Sequence, residues 1–183
     1  MKIKRFETFY IQRMKWAYDP TKNEEYVTFD NDSRPVDIEK NYNAVYGECK
    51  GIDNVGKAKN VYTETYADGN FTRAYLPKKV LRDATDVTLT LYFIGEDRQR
   101  NLKRFIDDIS GGSPARETRL YGNPYRYYDK IRKRGFDFLY IENTDVQEDN
   151  WKGSLPYIKA SFKLLNIYGE SSTTRTINVE NYE

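Results

Sequence analysis

Three groups of acidic residues stand close enough in sequence to suggest acid–base chemistry: Glu24-Glu25, Asp107-Asp108, and Asp145 with Glu148 and Asp149. Two carboxylates can divide the roles of proton donor and acceptor only when they face each other. Asp107 and Asp108 fall within a helical pattern, where adjacent side chains point about 100° apart, so they do not converge. The 143–150 segment lacks the oxygen-ligand spacing of a calcium loop. The chain has no histidine, which removes Ser-His-Asp and Cys-His nucleophile systems and every histidine-ligated metal site. Cys49 is the single cysteine, so no internal disulfide and no multi-thiolate metal site can form. Without an activating base, Cys49 reads as a small packed residue. Neither a catalytic set, a metal site nor a cofactor is expected, and the chain does not read as an enzyme.

Two further segments carry candidate chemistry. Residues 51–57, GIDNVGK, show the G-x-x-x-x-G-K spacing of a phosphate loop. Ala58 stands where Ser or Thr should hold magnesium, and no apolar strand feeds the loop, so turns with positive φ are the better reading. Residues 125–135, YRYYDKIRKRG, interleave aromatic and basic groups. Tyr125, Tyr127, Tyr128, Arg126, Arg132 and Arg134 could serve a single-stranded nucleic-acid-binding β-barrel through stacking and phosphate contacts. The opposing reading is a strand whose charges discourage edge-to-edge pairing. Lys plus Arg is 30 and Asp plus Glu 28 in 183 residues, a net charge of +2 that gives no general drive toward nucleic acid or membrane. No apolar run approaches a membrane span or a secretory signal, and cysteine usage fits a reducing cytoplasm.

The elements that would position these residues are mostly strands. Residues 86–112, DVTLTLYFIGEDRQRNLKRFIDDISGG, are the clearest. Val87, Leu89, Leu91 and Phe93 alternate with Thr88, Thr90 and Tyr92, the period of a strand. Leu102, Phe105, Ile106 and Ile109 then form one apolar stripe on a helix over about 97–110, with Gly111-Gly112 as its exit. A lone glycine at Gly95, followed by aromatic strands and not by a second strand–helix unit, argues against a dinucleotide-binding fold. In the helix Lys103 precedes Asp107, while Arg100 and Arg104 precede Asp108, the weaker order against the macrodipole. Asp107 and Asp108 are therefore candidates to pair with basic groups on a neighbouring strand or subunit.

The remaining segments follow the same logic. Residues 2–12 read as a strand, 18–43 as a long polar loop excursion with a short strand at 26–29, and 44–58 as a short strand with turns. Residues 60–76 read as a hairpin turning at Asp68-Gly69-Asn70. Its strands carry Tyr62, Tyr66, Phe71 and Tyr75 among polar residues, so it needs a partner surface, here expected to be another subunit. Residues 116–121, 125–131, 136–141 and 155–167 read as strands, 143–154 as an acidic loop containing Trp151, and 171–183 as an extended C-terminal tail. The whole, 1–183, reads as a single α+β domain, mainly β: an antiparallel β-sandwich or half-barrel with one flanking helix.

In pattern, TDVTLTLYFIGEDRQRNLKRFIDDI, RETRLYGNPYRYYDKI and IKASFKLLNIYGE resemble the strand–glycine–helix passage, the following strand pair and the last long strand of the tail tube fold of long-tailed bacteriophages. The nearest likeness is to the N-terminal domain of distal tail proteins, and it covers roughly residues 60–170. The resemblance implies a structural protein of the virion tail, made in the host cytoplasm. It implies a homo-oligomeric, hexameric ring around a DNA channel, with DNA only as passing cargo, contacting other tail or baseplate proteins and no membrane. The chain has no room for the C-terminal galectin-like domain of distal tail proteins, so a tube subunit, a tail terminator or a head–tail connector fits equally. Interface candidates are Tyr62, Tyr66, Phe71, Tyr75, Asp107, Asp108, Arg126, Arg132 and Arg134.

Overall fold

The computed structural model describes residues 9–59, 62–65, 72–75, 81–110 and 123–170; for 62–65 and 72–75 it describes the backbone alone. The elements in chain order are β1 (Phe9–Asp19), β2 (Glu24–Phe29), β3 (Val36–Asp37), α1 (Ile38–Tyr42), β4 (Ala44–Lys50), β5 (Tyr62–Thr65), β6 (Thr72–Tyr75), β7 (Thr85–Ile94), α2 (Arg98–Ile109), β8 (Tyr125–Asp129), β9 (Arg134–Trp151) and β10 (Leu155–Asn166). The fold is α+β, mainly antiparallel β. One sheet runs β2-β1-β8-β9-β10-β7-β4, with β3 added on β1, while β5 and β6 pair separately.

The sheet curls so that its two ends meet. Phe9 of β1 stacks on Tyr46 of β4, ring centroids 4.0 Å apart, although β1 lies near one edge and β4 is the other. Two bulges in β9 make the bend. Its register on β10 slips between Ser161 and Phe162 and again between Lys163 and Leu164, leaving Thr144 and Ile141 unpaired in the ladder. Residues before the bulges therefore pair with β8 in one wall, and residues after them extend along β10 in the other.

The alternation read from β7 is the alternation of the core. Val87, Leu89, Leu91 and Phe93 are all buried, as are their neighbours Ile158, Ala160, Phe162 and Leu164 on β10. Full burial of side chains of this size is worth about 1.5–3 kcal/mol each. The helix α2 lies across this pair. Phe105 meets Phe162 edge-on at 5.1 Å and Phe93 at 5.8 Å, and Ile109 is buried beside it. Leu102 and Ile106 pack against the core from its margin, and Asn101 is also buried on that face. Gly95 joins strand to helix at φ +92°, a conformation only glycine adopts without strain, and its N–H donates to the Pro156 carbonyl at 2.9 Å.

Three expectations are corrected. Residues 18–43 are not a loop excursion: they complete the β1–β2 hairpin, add β3 and form the short helix α1, so the flanking helix is not alone. Polar composition concealed this because β2 is an edge strand and α1 spans barely a turn. Asp37 caps α1 by accepting from the Lys40 N–H at 3.1 Å, and Asn43 ends it at φ +49°. This seats Ile38 and Tyr42 in the core. The acidic loop at 143–154 is instead the outer half of β9 and its turn, with Lys152 and Gly153 both at positive φ. The first strand is assigned from Phe9 to Asp19, beyond the expected end at residue 12.

Within residues 60–76 the register Tyr62↔Tyr75 to Thr65↔Thr72 is that of an antiparallel pair. Tyr66, Phe71, the turn at 68–70, Gly111-Gly112, the strand at 116–121, residues 2–8 and the tail at 171–183 lie outside the described residues.

Candidate functional site

The residues singled out from the sequence fall into three settings. The first is the face of the β1–β8–β9 wall that turns away from the apolar core and is covered by Phe29 of β2. Gln12, Arg126 and Asp137 stand side by side across β1, β8 and β9, and all three are buried. The Arg126 guanidinium donates to both Asp137 oxygens, at 2.6 and 3.2 Å, and lies over the Phe29 ring at 4.8 Å. Arg126 is thus a buried structural cation and not a surface contact. Tyr127 is fully buried, Tyr125 is buried and donates its hydroxyl to the Asp108 carbonyl, and only Tyr128 of the three is partly open. The aromatic-basic stretch therefore offers no stacking platform: alternation in a strand sends its aromatic rings inward.

The second setting is the end of the barrel around the β8–β9 turn. Arg132 donates to the Asp129 carboxylate at 3.2 Å and lies against the Tyr46 ring at 5.8 Å. Arg134 donates to both oxygens of Asp53, at 2.9 and 3.2 Å. Burial pushes the Cys49 thiol up to about 12, which leaves it protonated and unreactive at neutral pH. Burial also raises the Tyr127 phenol well above its ordinary value, and its hydroxyl has no partner among the described residues. The phosphate-loop spacing dissolves in the same region. A side chain on Gly56 would meet the Asp83 carbonyl at 1.8 Å, and the Gly56 N–H donates to the Gly169 carbonyl at 2.9 Å. That glycine admits a close backbone crossing and does not cradle an anion.

On α2, Asp108 has a partner within the chain: it accepts from the Tyr42 hydroxyl at 2.7 Å. Burial, and then that hydrogen bond, raise the Tyr42 phenol above its ordinary range. Arg104 covers the Tyr42 ring at 5.6 Å. Asp107 is exposed. At the other end of the helix Arg98 pairs with Glu148 of β9, a contact that no pattern in the sequence announces. For Tyr62 and Tyr75 only the backbone pairing is described.

The third setting was missed. It lies on the outer face of the β4–β7–β10 wall, opposite α2. Val45, Tyr92, Ile94, Trp151, Leu155 and Tyr157 line a groove of about 530 Å³. Tyr92 and Tyr157 meet edge-on at 5.7 Å, and the Tyr157 hydroxyl reaches Asp149 at 3.4 Å. Gly47 forms part of the groove, where a side chain would come within 2.7 Å of the Tyr92 ring; the register slip between Tyr46 and Glu48 sits at the same place. Trp151 is 61% exposed. Beside the groove runs an open edge. The strand β8 covers β9 only over Arg134–Phe138, and β10 covers its opposite side to Trp151. From Leu139 to Trp151 one side of β9 therefore has no strand partner among the described residues. That stretch carries Glu142, Asp145, Glu148 and Asp149, with Ile141 and Val146 exposed among them.

Unpaired strand backbone next to exposed aromatic surface is suited to receiving another polypeptide, and the acidic residues restrict which one. Among the described residues no three Cys, Asp or Glu side chains lie close enough to hold a metal ion. No described helix is long and apolar enough to cross a membrane.

Comparison with solved structures adds a weak likeness. The chain is similar in structure to the Dit (gp 19.1) protein of SPP1, described as a paradigm of the hub adsorption apparatus in phages that infect Gram-positive bacteria. The TM-score is 0.34 and the identity 12% over 83% of this chain, which spans about half (49%) of that protein. A likeness of this size fixes neither fold nor function. No protein-family model and no curated protein matches the chain.

Proposed function

We propose that this chain is a non-enzymatic structural subunit of a bacteriophage tail, a ring-forming protein of the distal tail or tail tube type that assembles with copies of itself by packing of β-sheets. The observation that carries the assembly reading is the stretch of β9 from Leu139 to Trp151, which has no strand partner on one side among the described residues, beside the aromatic groove. A protein that worked alone would gain nothing from leaving Trp151 and Val146 in water along an unpaired strand. The phage-tail reading is supported by the passage that carries the pattern resemblance. Thr85–Ile109 folds as a strand, a glycine turn and a helix laid on the sheet.

The buried thiol and phenols support a non-catalytic role. Cys49, Tyr42 and Tyr127 are all shifted away from neutral pH, the direction opposite to that of an activated nucleophile or a base poised for catalysis. In this reading the neighbours are copies of the chain and other tail or baseplate proteins. Size-exclusion chromatography with light scattering, followed by negative-stain imaging, tests it. Rings or a discrete higher oligomer are expected. A protein that stays monomeric at the highest attainable concentration, with and without purified tail proteins, would refute it.

A further inference from the structure

The most exposed aliphatic side chain among the described residues is Ile131, 68% exposed in the β8–β9 turn. Its neighbours are Lys130, Arg132 and Lys133, all exposed. Arg132 is occupied by Asp129, while Lys133 makes no ion pair among the described residues. The turn is thus an apolar knob set in positive charge. The groove on the outer sheet face is its complement. It is apolar and aromatic within, through Tyr92, Trp151, Leu155 and Tyr157. Acidic groups lie along the β9 side of it, Asp149 at the Tyr157 hydroxyl and Asp145 and Glu142 further along the open strand, with Lys159 of β10 between Asp145 and Asp149 on the same face. Within one chain Arg98 meets Glu148 and Lys50 meets Glu48, whereas Glu142, Asp145 and Asp149 make no ion pair among the described residues.

We infer that the β8–β9 turn of one copy docks into the Tyr92–Trp151–Tyr157 groove of the next, with Ile131 entering the groove and the flanking lysines meeting Asp145 and Asp149. The inference rests on the reading of the chain as a self-assembling ring subunit and names the two surfaces that would meet. The occupant is a second copy because knob and groove match in both polarity and charge, and both are presented by the same sequence. Knob and groove are different surfaces, so the contact is heterologous, and repeating it builds a ring where the rotation closes. Charge pairing at such a contact speeds encounter and weakens as salt rises, while the apolar insertion persists.

The test uses the full chain and reads the association constant by sedimentation velocity and light scattering. Ile131→Ser removes the knob at an exposed position. Lys130→Glu with Lys133→Glu reverses the knob's charge, and Asp145→Lys with Asp149→Lys reverses the rim. Each is expected to weaken association at least about tenfold, the effect of roughly 1.4 kcal/mol at one contact. A 1:1 mixture of the two charge-reversed proteins should assemble again, since each reversed surface then meets its reversed or native complement. Circular dichroism and a thermal melt confirm that each variant is folded. Variants that assemble like the parent, or a mixture that fails to restore assembly, overturn the docking inference and leave the ring reading standing. A parent chain that never self-associates overturns both.

Discussion

Asp137→Ala should be among the most damaging single substitutions in the chain. Asp137 is 1% exposed and Arg126 6%, and their two hydrogen bonds, at 2.6 and 3.2 Å, form a bidentate pair. Removing the carboxylate strands a guanidinium beneath Phe29, with Gln12 as its cross-strand neighbour on β1. Such an uncompensated charge costs about 3–5 kcal/mol, a large share of the roughly 5–15 kcal/mol that holds a typical domain folded. For a domain of this size the melting temperature should fall by about 6–20 °C. Arg126→Met should be comparably harmful, because it leaves a buried carboxylate.

Replacing both groups, Arg126→Met with Asp137→Leu, should recover most of the loss, since an apolar pair has no charge to desolvate. Urea denaturation of the parent, Arg126→Met, Asp137→Leu and the double variant closes a double-mutant cycle, measured at high salt and low concentration so that the monomer is compared. A coupling of about 3 kcal/mol or more is expected. Additive effects, or a loss under about 1 kcal/mol for Asp137→Ala, would show that water reaches the pair and that the wall is not closed as described.

Alkaline pH should unfold the protein through its buried phenols and thiol. Cys49, Tyr42 and Tyr127 have folded values raised by burial, so their protonated forms favour the folded state. That contribution is complete below the unfolded values near 9–10 and is lost as pH rises, by up to about 1.4 kcal/mol per pH unit for each group. Melts between pH 8 and 12 check it, and stability that stays flat to pH 11 would contradict it. Cys49 should also resist alkylation at pH 8 until the chain is denatured. Gly56→Ala should cost about 3 kcal/mol, because the obstacle is the Asp83 backbone carbonyl, which cannot swing aside. Gly153→Ala meets nothing within 4 Å and should cost only the left-handed strain of about 1–2 kcal/mol, so equal melting of the two variants would refute the close crossing. Arg98→Ala should lose under about 1 kcal/mol, since its partner Glu148 is half exposed, and a larger loss would mean that this pair anchors α2.

The parts of the fold that could be read from the sequence are those where burial and period agree. β7 and α2 each bury one face, and their residues alternate at 2.0 and 3.6 accordingly, so Val87 to Phe93 and Phe105 to Ile109 were legible in advance. Residues 142–151 carry no such signal. Both faces of that stretch are exposed, so nothing sorts its side chains by polarity, and four acids made a strand look like a loop. The usable clue was Lys152-Gly153 between Trp151 and Leu155, a turn flanked by strand formers. Arg126 misled for the opposite reason. A basic residue in a basic stretch reads as surface, and only its pairing with Asp137 beneath the Phe29 ring buries it on the sheet face away from the core. Asp108 likewise looked unsatisfied because its partner, Tyr42, lies 66 residues away on α1.

The bulges in β9 explain how a chain with so long an open strand could avoid pairing indiscriminately. A flat edge from Leu139 to Trp151 would accept almost any extended segment. Ile141 and Thr144 interrupt it, and the Thr144 hydroxyl turns back to the Ser161 carbonyl at 3.3 Å, so along β9 the regular backbone without a partner among the described residues is Asp145–Trp151. Within that stretch Asp145, Glu148 and Asp149 repel another acidic strand, including the same strand of a second copy. What remains acceptable is a partner that brings positive charge and an apolar side chain together. The same bulges therefore interrupt the ladder and shorten the edge to a length that charge can police. Deleting Thr144 removes one of the two bulges, and should lower the melting temperature and, in the ring reading, convert ordered assembly into salt-insensitive aggregation. If the deletion lowers stability but leaves assembly discrete and salt-dependent, the bulge serves the fold alone.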